Sequence, residues 1–392
     1  MPSDNAALVM ADADFDTVVA RMSAHLGDAA AQERACRDLC RMTVGNVERR
    51  TRAVAAGAVE AVAAAMRAHP QSEGSQSESC TLLATLISGS TEIQTRAGNG
   101  GAVEALVASM RAHPLSELVQ REACITLAAV TGGNAGNRTR AGSGGAVEAV
   151  VAAMRAHPQS EVVQRRACDA LGHMTVNNAD NQTRAGNAGA VVAVVTAMRA
   201  HLPREDEYPG RAEGYGRLSP PPGDVKWAFR ERMRMIIDEG ERVQQWACAA
   251  LGAMTRGNAQ ERTRAGNAGA VEAVVAAMTA HRQSEQVQRW ACDALGHMTV
   301  CNVENQIRVG DAGGMDAVVS GMNVHSQSGQ VQVMACAALC AALGALVQDK
   351  NAENRTLAIR AGAVAAVERA VTTHSANAQV QRFATPLMAS FD

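Results

Sequence analysis

NRTRAGSGGAVEAVVAAMRAHPQSEVVQRRACDALGHMT, residues 137 to 175, is the stretch whose reading decides the fold. Val147, Val150, Val151 and Met154 stand at relative positions 0, 3, 4 and 7, which is one stripe of a helix. Glu148 lies in the first turn of that helix, where the dipole favours negative charge. His157 and Pro158 close it, because proline cannot continue a helix. Val163, Ala167, Cys168, Leu171 and Met174 mark the apolar face of a second helix. The polar run Asn181-Gln182-Thr183-Arg184-Ala185-Gly186 that follows is long enough for one short extra helix.

Working outward, the same unit recurs along the chain. Gly145-Ala146-Val147-Glu148 has copies at Gly57, Gly101 and Gly269 and a variant at Gly189, spaced by 44 residues apart from one 80-residue step. Weaker copies stand at Gly313 and Gly362. His25, His69, His113, His157, His201, His281, His325 and His374 form one column in this register. Cys36, Cys80, Cys124, Cys168, Cys248, Cys292 and Cys336 form another, with Thr385 in the last place. A lone helical pair cannot bury its stripe, whereas stacked neighbours make a continuous core. An all-α array of about eight helical repeats follows.

Composition agrees. Of 392 residues 47% are apolar and only 2% aromatic, which suits closely packed helices. Net charge is −2, and Lys226 and Lys350 are the only lysines among 37 basic residues. That balance gives no reason to expect nucleic acid or an acidic membrane as the main partner. Met1 to Asp16 lacks a basic region followed by an apolar run, and no uncharged apolar stretch reaches the ~18 residues of a membrane span. The expectation is a soluble protein of the cytoplasm or nucleus.

The pattern N…AG.GAV..VV.AM..H..S..VQ..AC.AL..MT over Asn137 to Thr175 resembles the armadillo repeat. The variant ending its second helix in Ala-Met-x-x-His resembles armadillo segments of protist and algal repeat proteins and of Roco-type kinases. The resemblance covers about Ala13 to Asp392, with a shortened first repeat over about 13–43 and a capping last repeat over about 354–392. It implies a right-handed superhelix in which a short first helix precedes two longer ones and the third lines a concave groove. It implies a non-catalytic scaffold that binds an extended peptide or a partner helix. A targeting or transport adaptor and the regulatory array of a larger enzyme are the alternatives.

One long insertion breaks the pattern. His157 to Val163 spans 6 residues but His201 to Val243 spans 42, so extra chain enters the fifth repeat between its second and third helices. Residues 202–240 begin acidic and Gly/Pro-rich and end in an expected short helix, Val225 to Glu239. Tyr208, Tyr215, Trp227 and Phe229 fall here, and exposed loop aromatics are what binding surfaces enrich. The segment reads either as a partly disordered excursion or as a binding element. In the second repeat Ser75 replaces the usual valine of the third helix, marking a candidate weak joint.

The columns invite chemical readings. Each column cysteine sits among Ala and Leu on an apolar face, so buried thiols are expected rather than disulfides or a metal site. The histidines close helices, where an imidazole meets terminal carbonyls. The glycine runs lack the Gly-Lys-Ser/Thr of a phosphate loop. Arg52, Arg96, Arg140, Arg184, Arg264 and Arg308 read most simply as surface arginines paired with Glu at a neighbouring helix start. No cofactor and no catalytic residue are expected.

The polar face of the third helix carries the candidate site. Counted from the column cysteine, positions −3, +1 and +5 face the expected groove. In the fourth repeat they are Arg165, Asp169 and His173; in the sixth, Arg289, Asp293 and His297. Gln245, Ala249 and Ala253 of the fifth repeat stand between them, with Trp246 and Trp290 at −2. Importin-α-like members carry repeated Trp and Asn at +1 and +5. Here Arg37/Arg41, Thr81/Thr85 and Ile125/Ala129 occupy those places in the first three repeats, so cargo binding by that array is not expected. The binding centre is placed in repeats four to six.

Overall fold

The computed structural model describes residues 15–88, 90–203, 225–344 and 352–391, and the side chains of 225–239 lie outside that description. The fourth repeat shows how the local sequence makes the elements. Asn134 accepts the backbone N–H of Asn137 and starts the helix Ala135–Ser143. Gly145 follows at φ 80°, a left-handed turn that a side chain would strain, and opens Ala146–Ala156. The Ser160 hydroxyl then accepts the N–H of Val163 and starts Glu161–Thr175.

This grammar repeats. The described residues form a pair of helices, Phe15–Ala24 and Ala29–Thr43, and then seven triplets, with no strand among them. The third helices are Ala29–Thr43, Glu73–Ile87, Glu117–Thr131, Glu161–Thr175, Val225–Thr255, Glu285–Thr299, Gly329–Ala342 and Ala378–Ala389. The chain is an all-α, repeat-based solenoid. Its packing divides into two bodies: Met1–His157 with Asp169–Arg184, and Pro158–Cys168 with Ala185–Asp392. Inside each body successive second helices pack on one another and so do successive third helices.

The core is the seam between those two ranks. In the third repeat Val103, Leu106, Val107, Met110, Cys124 and Leu127 are at most 3% exposed. All seven column cysteines are buried and outside any disulfide, while Thr385, at the matching place in the eighth repeat, is exposed. Burial pushes the Cys36, Cys248 and Cys336 thiols up to about 12, which keeps them protonated and unreactive at neutral pH.

Three side-chain columns secure the array: the histidines and asparagines join neighbouring repeats, and the glutamines join second to third helix within a repeat. The histidine imidazoles do not cap their own helices. Nε2 of His69, His113, His157 and His325 donates instead to the carbonyls of Leu26, Pro70, Pro114 and Arg282, one residue past the histidine of the preceding repeat. Capping falls to a glutamine column in the third helix. Gln120 Nε2 donates 2.8 Å bonds to the carbonyls of Met110 and His113, and Gln32, Gln76, Gln288 and Gln332 repeat the pair. Last carbonyls of a buried helix end must find donors, and this amide supplies both. An asparagine column reaches into the preceding repeat: Asn137 Nδ2 donates to Gln94 in its first helix and to Val130 at the end of its third, and Asn305 Nδ2 to Arg262 and Met298 in the same places.

The insertion differs from expectation in a specific way. No separate short helix ends at Glu239; one helix runs unbroken from Val225 to Thr255. The reason lies at Gly240. Every other repeat has Asp, Ser or Asn there to turn the chain and cap the third helix, whereas glycine offers no acceptor and the helix continues N-terminally. Gly240 also passes the end of the second helix closely, since a Cβ there would lie 3.1 Å from the His201 carbonyl. Tyr208 and Tyr215 lie outside the described residues, as do the side chains of Trp227 and Phe229.

Candidate functional site

The third helices bring their −3, −2, +1 and +5 positions to the side away from the second helices. In the first three repeats this surface is closed by its own bonds. Arg37 donates to Glu33 at 2.6 Å within its helix and to Glu78 of the next repeat at 3.0 Å. Thr81 donates to Glu122 of the third repeat at 3.2 Å, and Arg121 pairs with the same carboxylate at 2.7 Å. A +1 side chain thus meets the −2 side chain of the next repeat.

The two expected triads are placed as follows. Asp169 and His173 lie in the N-terminal body, with His173 Nε2 3.3 Å from Asp169 Oδ1. Arg165 belongs to the C-terminal body. In the sixth repeat Asp293 is bound by His297 at 3.4 Å and by Arg256, reaching from the end of the fifth repeat's third helix, at 3.3 Å. Asp293 fits because Gly252 leaves room: a Cβ there would stand 2.8 Å from Asp293 Oδ2. Arg289 does not join this cluster; its guanidinium lies over the Trp290 ring, 4.6 Å from the centroid. The expected triad is therefore a pair bridged by Arg256, with an arginine–tryptophan stack beside it.

Gln245, Trp246, Ala249 and Trp290 are half-buried, whereas Ala253 is buried and forms floor rather than contact surface. Gly296 lies 3.7 Å, measured from an added Cβ, from the backbone of Ala338, so third helices approach closely through small residues here. Asp169 meets His173, and Asp293 meets His297 and Arg256, so each pair is a polar anchor on its helix. Among the described residues no group of three or more His, Cys, Asp or Glu is arranged to hold a metal ion. No described helix is long and apolar enough to cross a membrane.

The arginine column pairs as the simpler reading has it: Arg96 with Glu60 at 2.8 Å, Arg140 with Glu104 at 3.9 Å and Arg308 with Glu272 at 3.7 Å. Each glutamate opens the second helix of the preceding repeat, whereas Arg52 lies over the Phe15 ring and Arg264 pairs with Glu261 of its own helix.

No known family profile matches the sequence, and no curated protein does. Solved structures do match. One engineered protein superposes with a TM-score of 0.56 at 24% identity, over 73% of this chain and 98% of its own. A designed armadillo repeat protein in complex with the peptide (KR)4 gives 0.53 at 21%, over 73% and 100%. Computationally designed armadillo repeat proteins for modular peptide recognition give 0.53 at 20%, over 72% and 99%. At these identities the likeness is one of fold: the chain has an armadillo-like architecture.

Proposed function

We propose that the protein is a non-catalytic interaction scaffold, built of eight armadillo-type repeats in a right-handed superhelix, that holds an extended peptide or a partner helix on its third-helix surface. One observation carries this reading. The half-buried aromatic side chains Trp246, Trp290 and Phe383 and both Asp–His pairs stand on third helices, while the second-helix ends are engaged by the glutamine ladder. Two of the designed proteins that share the fold are described as peptide-bound or made for peptide recognition. The contact residues in this reading are Arg165, Asp169, His173, Gln245, Trp246, Arg289, Trp290, Asp293 and His297, with Tyr208, Tyr215, Trp227 and Phe229 of the insertion adding to them. The partner is a protein, met in the cytoplasm or nucleus, whether the chain acts alone, as a transport adaptor or as the regulatory array of a larger enzyme.

Capture of partners by the full chain, followed by binding measurements on variants, tests it. Asp169→Ala with Asp293→Ala, or Trp290→Ala alone, is expected to weaken binding by about 1–3 kcal/mol with helicity unchanged. Unchanged affinity in both, with loss on altering Arg37 and Arg41, would move the site to the N-terminal repeats. Steep weakening by salt would favour nucleic acid instead.

A further inference from the structure

Two residues before the cysteine column, the C-terminal body carries Trp246, Trp290, Met334 and Phe383 on four consecutive third helices, all half-buried. Those helices pack in order, so neighbours on this stripe stand roughly one helix spacing, 8–10 Å, apart. Arg289 lies over Trp290 and Arg382 over Phe383, at 4.6 Å and 5.6 Å from the ring centroids. Stacking uses the flat face of a guanidinium and leaves its N–H edges for another acceptor. Neither arginine has a carboxylate partner among the described residues, and the buried Nε of Arg289 donates to nothing. Nearby acids are already engaged: Asp293 by Arg256 and His297, Glu241 by the Ser284 hydroxyl and Glu285 by the Ser328 hydroxyl. The uncommitted charge along the stripe is positive, and the uncommitted area is apolar.

We propose that this stripe takes an acidic–apolar peptide segment in extended form, with a large apolar residue at about every third place and aspartate or glutamate between. In a polyproline-like strand three residues advance about 9 Å, which matches the helix spacing and returns the side chain to the same face. The apolar side chains bury against Trp246, Trp290, Met334 and Phe383. A carboxylate beside them meets the edges of Arg289 and Arg382 in a charge-assisted bond. The inference rests on the third-helix surface being the binding surface, and it adds the chemistry of what binds.

The test uses the full chain and fluorescence anisotropy with a labelled peptide bearing Leu at every third place and Asp between. Two companions replace every Asp by Lys, or every Leu by Ser. The first peptide is expected to bind at least about tenfold more tightly than either companion. Trp290→Ala and Arg289→Gln should each cost it about tenfold, and Glu78→Gln, in the other body, nothing. Arg289 is partly exposed, so its variant keeps the fold whatever Trp290→Ala does. Equal or tighter binding of the Lys peptide, or full affinity in Arg289→Gln, overturns the inference. If the Lys peptide binds and loses affinity in Asp169→Ala with Asp293→Ala, the surface stands and only the chemistry is wrong. If none of the peptides binds, both fall.

Discussion

In the first three repeats the place two residues before the column cysteine belongs to Arg34, Glu78 and Glu122, and in the fourth to Arg166; in the last four it belongs to Trp246, Trp290, Met334 and Phe383. The first set is charged, and Glu78 and Glu122 are bonded to Arg37, Thr81 and Arg121. The second set is apolar, half-buried and flanked by arginines that stack instead of pairing. Under this difference the scaffold is shared, with a glutamine in every repeat and a buried cysteine in every repeat but the last. A repeat whose ends and seams are secured by dedicated columns leaves its surface positions free to diverge. The second and third repeats close this place with internal bonds, and the last four leave it apolar.

Changes to the shared scaffold should have the largest effect and should not distinguish the bodies. Gln120→Leu and Gln288→Leu each remove two bonds to buried carbonyls and leave acceptors orphaned, a loss of about 2–4 kcal/mol measured by urea unfolding. A loss in one body only would mean that the ladders are not equivalent. The second repeat offers an effect of opposite sign. Ser75 is fully buried with its hydroxyl unpaired, where Val119, Val287 and Val331 stand in other repeats. Ser75→Val should therefore stabilise by about 1–2 kcal/mol, and a destabilised variant would show that the hydroxyl has a use.

A smaller effect is expected at Glu261, which takes the place of Asn137 and Asn305 in the asparagine column. Its carboxyl is buried, with one oxygen paired to Arg264 and the other unpartnered against Gly186. Burial holds its pKa above the ordinary carboxylate value, with the Arg264 charge opposing the shift. An acid raised in the folded state stabilises below its unfolded pKa, and that contribution is lost as pH rises through the folded value. Glu261→Asn should raise the melting temperature at pH 7, with the advantage shrinking as pH falls toward 4. An advantage independent of pH would assign the effect to packing. The smallest change belongs to the closed surface: Arg37→Ala removes a half-exposed ion pair and should leave the melting temperature nearly unmoved at physiological salt.

Much of this was legible in the sequence because period and register are strong signals. The 44-residue beat fixed the helices, and the cysteines among Ala and Leu announced the buried seam. Other features were hidden for physical reasons. The glutamine is as regular as the histidines, yet a glutamine reads as surface until its helix is docked against carbonyls. Gly240 carried a readable signal, the loss of a capping side chain, which marks the third helix of the fifth repeat as one that does not start there. The triads were half legible: i,i+4 spacing brought Asp293 to His297, but the claim of Arg256 on Asp293 comes from the adjoining repeat and no spacing shows it. The aromatic stripe was read only at Trp246 and Trp290, because Met334 and Phe383 join it through register alone.

Hydroxyl-radical footprinting of the full chain, with and without the Leu/Asp peptide, tests the account most directly. Trp246, Trp290, Met334 and Phe383 should be protected on binding, while exposed Leu115 and Leu118 of the N-terminal body react as before. Binding that leaves those four unprotected, or that shields Leu115 and Leu118 instead, would contradict it.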